Sequence, residues 1–141
     1  MTDPSLETSS AYPGRRLLGV GIDWILCLLI SSAFFPMGDT AVLTAVERVL
    51  LAGAPMATLG IWMAQHFVLV STLGTTVGHR VVGLRIVRDD GAPFVGVLRG
   101  LARTVLLALV IPAVVWGPDG RGLHDRAAGT LIIPTRAGAR A

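Results

Sequence analysis

Two long stretches of apolar residues that are almost free of charge constrain this chain more than any other feature. Residues 17–36 contain one charged side chain, Asp23, and residues 49–78 contain none. A helix of about 20 apolar residues spans the roughly 30 Å hydrocarbon core of a bilayer. Only 15% of the residues are charged, against about 25% in a typical soluble domain. We therefore predict an all-α integral membrane protein with full spans at residues 17–36 and at about residues 54–74.

A third helical segment is predicted at residues 95–116, and the sequence leaves open whether it crosses the whole membrane. Its uncharged part, residues 104–116, is short and is interrupted by Pro112. It is either a full span, with Arg99 and Arg103 extending to one interface, or a short re-entrant helix covered by protein. The expected fold has two full transmembrane helices and this third, short or re-entrant helix.

The remaining segments predict a small cap outside the membrane. Residues 75–94 form a loop that contains a short strand at residues 81–87 and a turn of Asp, Gly and Pro. Residues 117–130 are expected to form a short interfacial helix. A second strand at Leu131–Ile133 can pair with residues 84–87, which gives the cap a two-stranded β pair.

The ends of the chain and the distribution of arginine predict the topology. We divide the chain into a disordered polar tail at residues 1–12, a transmembrane domain at residues 13–134 and a basic tail at residues 135–141. The positive-inside rule places the N-terminus and residues 75–103 in the cytoplasm. It also favours a cytoplasmic tail, whereas three full spans place the tail outside. This conflict favours either a re-entrant third segment or a tail that crosses the membrane despite its charge, and we expect the tail to be cytoplasmic.

The basic residues also indicate where the protein resides and what it contacts. All twelve are arginine, and alanine, glycine and valine are abundant, which is typical of a high-GC bacterial gene. We expect a multi-pass protein of the bacterial plasma (inner) membrane. Because the arginines flank apolar blocks, the expected partners are anionic lipid headgroups rather than nucleic acid. Three short apolar segments bury little among themselves, so a homo-oligomer or a larger membrane complex is also expected.

The chemistry expected of the chain is limited. His66, His79 and His124 are scattered and Cys27 is the single cysteine, so we predict no metal site, disulfide or cofactor. His124 and Asp125 are adjacent and diverge by about 100° on a helix, which does not give an oriented acid–base pair. No serine or cysteine has a partnered base. We therefore predict that the protein is not an enzyme.

Asp23 is the most informative polar residue because a carboxylate inside a span costs a few kcal/mol. Arg16 lies seven residues earlier on the same helix face, but helical side chains lean towards the N-terminus, so Arg16 leans away from Asp23. The expected partner therefore comes from another helix, with Arg99 and Arg103 as the best candidates. Three roles stay open for Asp23: a structural ion pair or hydrogen bond, a proton or cation site, and a protonated carboxyl group.

Asp125 is expected to hold the interfacial helix against the rest of the protein. It lies in a cluster of charged and polar residues at 121–126. An ion pair with a basic residue from another segment explains a carboxylate at this position better than catalysis does. The expected partners are Arg16, Arg80 and Arg85.

Three stretches of the sequence together resemble the RDD family of small bacterial membrane proteins. They are RRLLGVGIDWILCLL from residue 15, GTTVGHRVVGLRIV at residues 74–87 and LHDRAAGTLI at residues 123–132. The family is named for one arginine and two aspartates, which Arg16, Asp23 and Asp125 match. Its loop often carries lysines where this chain has Thr75 and His79. The resemblance implies a membrane protein of a family whose function is largely unknown, some members being associated with Na⁺/H⁺ exchange.

Two functions are compatible with these observations. The first is a non-enzymatic accessory or assembly subunit of a larger membrane complex, which small size and few intramembrane ionisable groups favour. The alternative is an oligomeric Na⁺/H⁺ (cation/proton) antiporter in which Asp23 alternates between proton and cation. For transport chemistry the sequence offers only Asp23, His66 and the break at Pro112.

Overall fold

The computed structural model describes residues 13–109 and 122–135, and every structural statement refers to this part of the chain. The predicted tail at residues 1–12, the basic tail from residue 136 and the interruption at Pro112 lie outside it. The described residues form six α-helices, one 3₁₀ turn and two strands. In chain order these are α1 (Pro13–Phe34), the 3₁₀ turn (Thr40–Val42), α2 (Ala45–Leu51), α3 (Pro55–Leu73), α4 (Val77–Val81), β1 (Leu84–Arg88), α5 (Val97–Ala108), α6 (Leu123–Ala128) and β2 (Thr130–Pro134).

α1 and α3 are the two long apolar helices of the structure. They have 22 and 19 residues, or roughly 33 and 28 Å at 1.5 Å per residue. Both are long and apolar enough to cross a membrane, and they coincide with the two predicted spans. α3 begins with Pro55, whose fixed φ suits a first helical turn. It ends at Gly74 in the left-handed conformation.

A short connecting segment joins α1 to α3. Pro36 and Gly53 form an isolated β-bridge that brings the end of α1 next to the start of α3. Between them, Thr44 and Glu47 form a capping box at the start of α2. The hydrogen bond from the Thr44 hydroxyl lowers the pKa of Glu47. The connection therefore reverses the chain, so that α3 runs back along α1.

α5, over the residues that the structure describes, is shorter than a helix that crosses a bilayer. Its 12 residues extend about 18 Å. It begins next to the end of α3, where Gly100 lies directly against Ser71. Further along, Leu107 packs with Cys27 of α1 and Trp62 of α3. The two long helices agree with the sequence prediction, and the described part of the third predicted segment is helical from Val97 to Ala108.

The cap is built on the predicted pair of strands. β1 and β2 are antiparallel, with Arg85 opposite Ile133 and Val87 opposite Leu131, which confirms the expected pairing. Alternate side chains of the pair point inwards and pack on the end of α3 and the neighbouring loops. This apolar cluster consists of Val70, Val82, Leu84, Ile86, Val95 and Ile132, with Ile22 of α1 against it.

The predicted boundary of the first strand is wrong. The sequence predicts a strand at residues 81–87, whereas β1 starts at Leu84 and the preceding residues belong to α4 and its end. α4 forms because Thr76 caps its N-terminus by accepting a hydrogen bond from the backbone N–H of His79 at 3.2 Å. A helix of five residues has too few turns to show a helical period in the sequence.

β2 also determines where the last described residues lie. Because β2 pairs with β1, residues 122–135 lie at the same end of the molecule as α4 and β1. α1 begins at this end too, since Arg16 contacts Asp125 of α6. Residues 122–135 therefore lie at the end of the molecule from which α5 starts.

α1 and α4 cross at two glycines, one of which has no room for a side chain and the other very little. A Cβ atom added at Gly78 would overlap the backbone carbonyl of Gly19, and a Cβ at Gly19 would lie 3.3 Å from the backbone of Gly78. The backbones themselves are thus in contact at this crossing. Such an approach is available only to residues without a Cβ.

We predict that Gly78→Ala lowers the stability of the protein in detergent by about 1–3 kcal/mol, because the added methyl group meets backbone rather than a movable side chain. Gly60→Ala is the matched control, since a Cβ there meets nothing within 4 Å. Thermal unfolding followed by circular dichroism measures both. Equal midpoints for the two variants would show that α1 and α4 do not cross in this way.

Candidate functional site

Two buried carboxylates lie where the long helices meet the cap. The side chains of Asp23 on α1 and Asp125 on α6 are 0% and 1% exposed. Asp23 shares the buried face of α1 with Gly19, Cys27 and Ser31, which follow one another at intervals of four residues. A buried carboxylate is stable only with hydrogen bonds or an opposite charge, so the partners of these two residues define the site.

Asp23 is held by neutral donors from two other helices. Its Oδ1 accepts hydrogen bonds from Nε2 of Gln65 at 2.8 Å and from the backbone N–H of Gly78 at 2.7 Å. Its Oδ2 accepts a hydrogen bond from the hydroxyl group of Thr76. These three bonds join α1 to α3 and α4. The close approach of Gly19 and Gly78 is what brings the N–H of Gly78 within reach.

The expected pairing of Asp23 with Arg99 or Arg103 is wrong. Arg103 binds Asp125 instead, and Arg99 binds groups in the cap. The helix face on which an arginine lies does not determine which neighbouring element it meets, and α4, which the sequence did not predict, fills the position next to Asp23. Among the described residues, the carboxylate is therefore stabilised by hydrogen bonds and pairs with no arginine.

Thr76 and His79 extend this network. The hydroxyl of Thr76 donates its single hydrogen to Asp23, so in the 2.7 Å contact between Thr76 Oγ1 and His79 Nδ1 the ring nitrogen is the donor. Nδ1 of His79 also lies 3.8 Å from Oδ2 of Asp23. Burial lowers the pKa of His79 because it disfavours the charged ring. A neutral ring with its hydrogen on Nδ1 satisfies this geometry.

His66 lies beside the network without joining it. Its ring is fully buried and packs against Trp62 with the ring centroids 4.4 Å apart, as expected for residues four apart on a helix. The centroid of His79 is 6.4 Å away. Among the described residues neither ring nitrogen of His66 has a hydrogen-bond partner. It is a buried titratable group close to Asp23 whose polar atoms are unused.

Asp125 is shared by two arginines from different helices. Its Oδ2 binds Nη2 of Arg16 on α1, and its Oδ1 binds Nη1 of Arg103 on α5. Thr130 of β2 donates a further hydrogen bond to Oδ1 at 3.3 Å. Arg16 is one of the partners expected from the sequence, whereas the structure does not bring Arg80 or Arg85 to this carboxylate. Asp125 thus connects α1, α5 and the end of the chain.

The other candidate arginines lie at the edge of the cap. Nη1 of Arg99 donates to the carbonyl of Gly129 at 2.8 Å, just after α6, and lies 3.3 Å from Oδ1 of Asp89. Nη2 of Arg99 lies 3.4 Å from Oδ2 of Asp90. Arg80 and Arg85 are exposed on α4 and β1. These arginines contact the cap or the solvent rather than the buried site.

Sequence reasoning missed Gln65, Thr76 and Thr130 as partners of the carboxylates. Gln65 was detectable as a polar residue within an apolar span, where it needs a hydrogen-bond partner. Thr76 was detectable as an N-cap residue, while nothing marks Thr130 as a partner. In residues 13–109 and 122–135, no group of three or more His, Cys, Asp or Glu residues is placed to hold a metal ion.

Comparison with known proteins gives one match. The family model described as the RDD family matches residues 10–129, which is most of the chain and includes Arg16, Asp23 and Asp125. No curated protein and no solved structure matches the chain.

We predict that Asp125→Asn lowers stability by roughly 3–5 kcal/mol, because it leaves the guanidinium of Arg103 buried without a counter-charge. The control is Asp90→Asn, which removes ion pairs with Arg88 and Arg99 from a carboxylate that is 43% exposed. The control should leave the thermal midpoint unchanged, since exposed ion pairs contribute little. A midpoint for Asp125→Asn equal to that of the control would contradict the shared ion pair.

Proposed function

The chain belongs to the RDD family, and on this premise we propose that it is a non-enzymatic integral membrane protein that acts as an accessory or assembly subunit of a larger membrane complex. The observation that carries the proposal is the contrast between the interior and the surface. The polar groups at the centre are used to hold the helices together, whereas the long helices expose most of their apolar side chains.

The exposure of α1 and α3 supports insertion into a membrane. In the part of the chain that the structure describes, only 22% of the apolar stretch of α1 and 28% of the apolar stretch of α3 is buried. A core helix of a soluble protein is mostly buried, because water disfavours exposed apolar surface. On α1, Leu18, Ile25 and Leu29 are 59%, 52% and 38% exposed. Lipid or the helices of other subunits would cover this surface.

The arrangement of the cap supports an orientation. The cap carries Arg80, Arg85 and Arg99, and Arg16 lies at the same end of α1. We propose that this end faces the cytoplasm of a bacterium, with the N-terminus, in accordance with the positive-inside rule. The return of residues 122–135 to this end supports a re-entrant path for the third segment.

The hydrogen bonds of Asp23 support a structural role for the charged site. A transported ion requires a ligand that is free to exchange partners, whereas Asp23 is bound by a backbone N–H and two side-chain donors. A carboxylate in such a site is fixed in geometry and holds three helices together. With only three apolar helical segments, the protein would then act through the partners that bind its surface.

Cation/proton antiport by an oligomer is the second candidate, and His66 is the observation that favours it. This buried ring has unused polar atoms among the described residues and lies one ring away from the network of Asp23. A proton-carrying role for Asp23 and His66 would use these groups. It would require Asp23 to release the donors that hold it.

The variant Asp23→Asn distinguishes these candidates. If Asp23 is structural, the introduced amide group directs its N–H hydrogens towards the hydrogen-bond donors that held the carboxylate. The amount of protein in the membrane should then decrease severalfold, in line with a loss of stability of about 1–3 kcal/mol. Adding Gln65→Glu returns a carboxylate to the same hydrogen bond and should restore part of that amount. Immunoblotting of membranes measures abundance, and Na⁺-dependent proton movement in everted vesicles is measured with a pH-sensitive dye. Unchanged abundance together with loss of that movement would support antiport and contradict the structural role.

A native extraction tests the proposed accessory role directly. We expect a tagged chain, extracted with a mild detergent, to migrate on a native gel in a complex much larger than its own oligomer. Mass spectrometry should then identify other membrane proteins at a fixed ratio. A complex that contains this chain alone would contradict the accessory role.

A further inference from the structure

The chain between α1 and α3 exposes apolar side chains at the end of the molecule away from the cap. α1 begins at the cap, where Arg16 contacts Asp125, and α3 ends there, where the carbonyl of Gly74 accepts a hydrogen bond from the N–H of Ile86. Residues 34–56, which we call the connecting loop, therefore lie at the opposite end. Large apolar side chains of this loop are more than half exposed, among them Phe34, Met37, Val42, Val46 and Leu51. Grouped exposed apolar side chains mark a surface that another molecule covers.

The exposed apolar side chains of the connecting loop do not share one face. Val46 and Leu51 both lie on α2 and are 68% and 69% exposed. They are five residues apart, which places them about 140° apart around the helix axis. The surface of a folded partner covers one face of a short helix. A helix that is apolar in several directions is suited to a fluid apolar solvent that surrounds it.

The charged side chains of the connecting loop form hydrogen bonds within the loop itself. Asp39 accepts a hydrogen bond at 2.9 Å from the backbone N–H two residues later. Glu47 closes the capping box at the start of α2. Arg48 donates to the backbone carbonyls of Thr40 and Leu43, at 3.1 and 3.4 Å. These internal bonds lower the cost of moving the charged groups out of water.

The backbone at the two ends of the connecting loop is also paired. The N–H of Met37 donates to the carbonyl of Ala52 at 2.7 Å, and the N–H of Ala54 donates to the carbonyl of Phe35 at 3.0 Å. Unpaired backbone groups are costly in contact with lipid, because lipid chains supply no hydrogen bonds. The loop thus combines paired polar groups with exposed apolar side chains, which is the combination that a lipid environment requires.

We propose that the connecting loop is embedded in the bilayer, at the boundary between headgroups and acyl chains in the leaflet away from the cap. Lipid is then the partner of its apolar side chains. Amphipathic segments in this position bury their apolar side chains about 5–10 Å into the boundary. The spans agree with this position, because α1 and α3 extend roughly 33 and 28 Å. The residues that join them therefore lie at the level of the bilayer surface, and their apolar side chains continue the exposed surfaces of the two spans.

The inference rests on the proposed membrane location and is independent of the accessory role. It bears on that role nonetheless, because a loop covered by lipid is not available to a water-soluble partner. The cap and the sides of the helices would then be the described surfaces that other subunits can reach.

A fluorescent label at single cysteines tests the position of the loop. Cys27 is the only cysteine of the chain and is buried, so Cys27→Ser provides a background without cysteine. In this background, Val46→Cys and Leu51→Cys place a nitrobenzoxadiazole label on two sides of α2. The labelled full chain is inserted into phosphatidylcholine nanodiscs. Quenching is measured with phosphatidylcholine that carries a spin label on its acyl chain near the headgroup, and separately with iodide in the water.

Two further labels calibrate the measurement. Ile25→Cys lies midway along α1 at a position that is 52% exposed, and Asp90→Cys lies in the polar turn after β1. We expect the spin-labelled lipid to quench both labels on α2. Iodide should quench them severalfold less than it quenches the label in the polar turn, because an ion does not enter the acyl region. Iodide quenching equal to that in the polar turn would place the loop in water and overturn the proposal.

Coverage by protein gives a different result. A second copy or another subunit would protect at least one of the two α2 labels from both quenchers, and this pattern would also overturn the proposal. If one of the two α2 variants does not fold, the other still decides between lipid, water and protein. A label in α1 that the spin-labelled lipid does not quench would contradict the membrane location itself, and the proposal would fail with it.

Discussion

The sharing of Asp125 between two guanidinium groups is the interaction on which the rest of the structure depends. Arg103 is almost completely buried, and a buried cation without a counter-charge is strongly destabilising. Its carboxylate partner comes from α6, and the same carboxylate holds Arg16 of α1. The long helices and the cap are therefore not separable parts. A rearrangement that moved α6 away would expose the mutual repulsion of two arginines inside the protein.

The second carboxylate shows how packing and hydrogen bonding depend on each other. Asp23 needs the backbone N–H of Gly78, and that N–H is accessible only because Gly19 and Gly78 allow two backbones to touch. A side chain at Gly78 would overlap the backbone of Gly19, separate the helices and remove the donor at the same time. The geometry of the site thus depends on glycines, which have no functional side chain. This explains how, in the part of the chain that the structure describes, a carboxylate within an apolar helix is stabilised with no arginine bound to it.

The elements that could be predicted from the sequence are those determined by local pattern. The apolar blocks gave α1 and α3, and strand propensity gave the pairing of β1 and β2. The contact of Arg16 with Asp125 could be predicted because a carboxylate in this position needs a partner of opposite charge, although the sequence left three arginines as possible partners. The partners of Asp23 could not be obtained in this way. They depend on a five-residue helix without a periodic pattern and on a backbone donor, which every residue except proline carries.

The contact between Arg16 and Asp125 joins residues that are 109 positions apart. At a synthesis rate of about 5–20 residues per second, roughly 5 to 20 seconds separate the appearance of the arginine from that of its carboxylate. In the membrane location proposed above, α1 would enter the bilayer during that interval, before Asp125 exists to bind Arg16. Water and lipid phosphates are the groups available to it. The final structure of the charged site is therefore reached late in the life of the nascent chain, after the helices that it connects have been made.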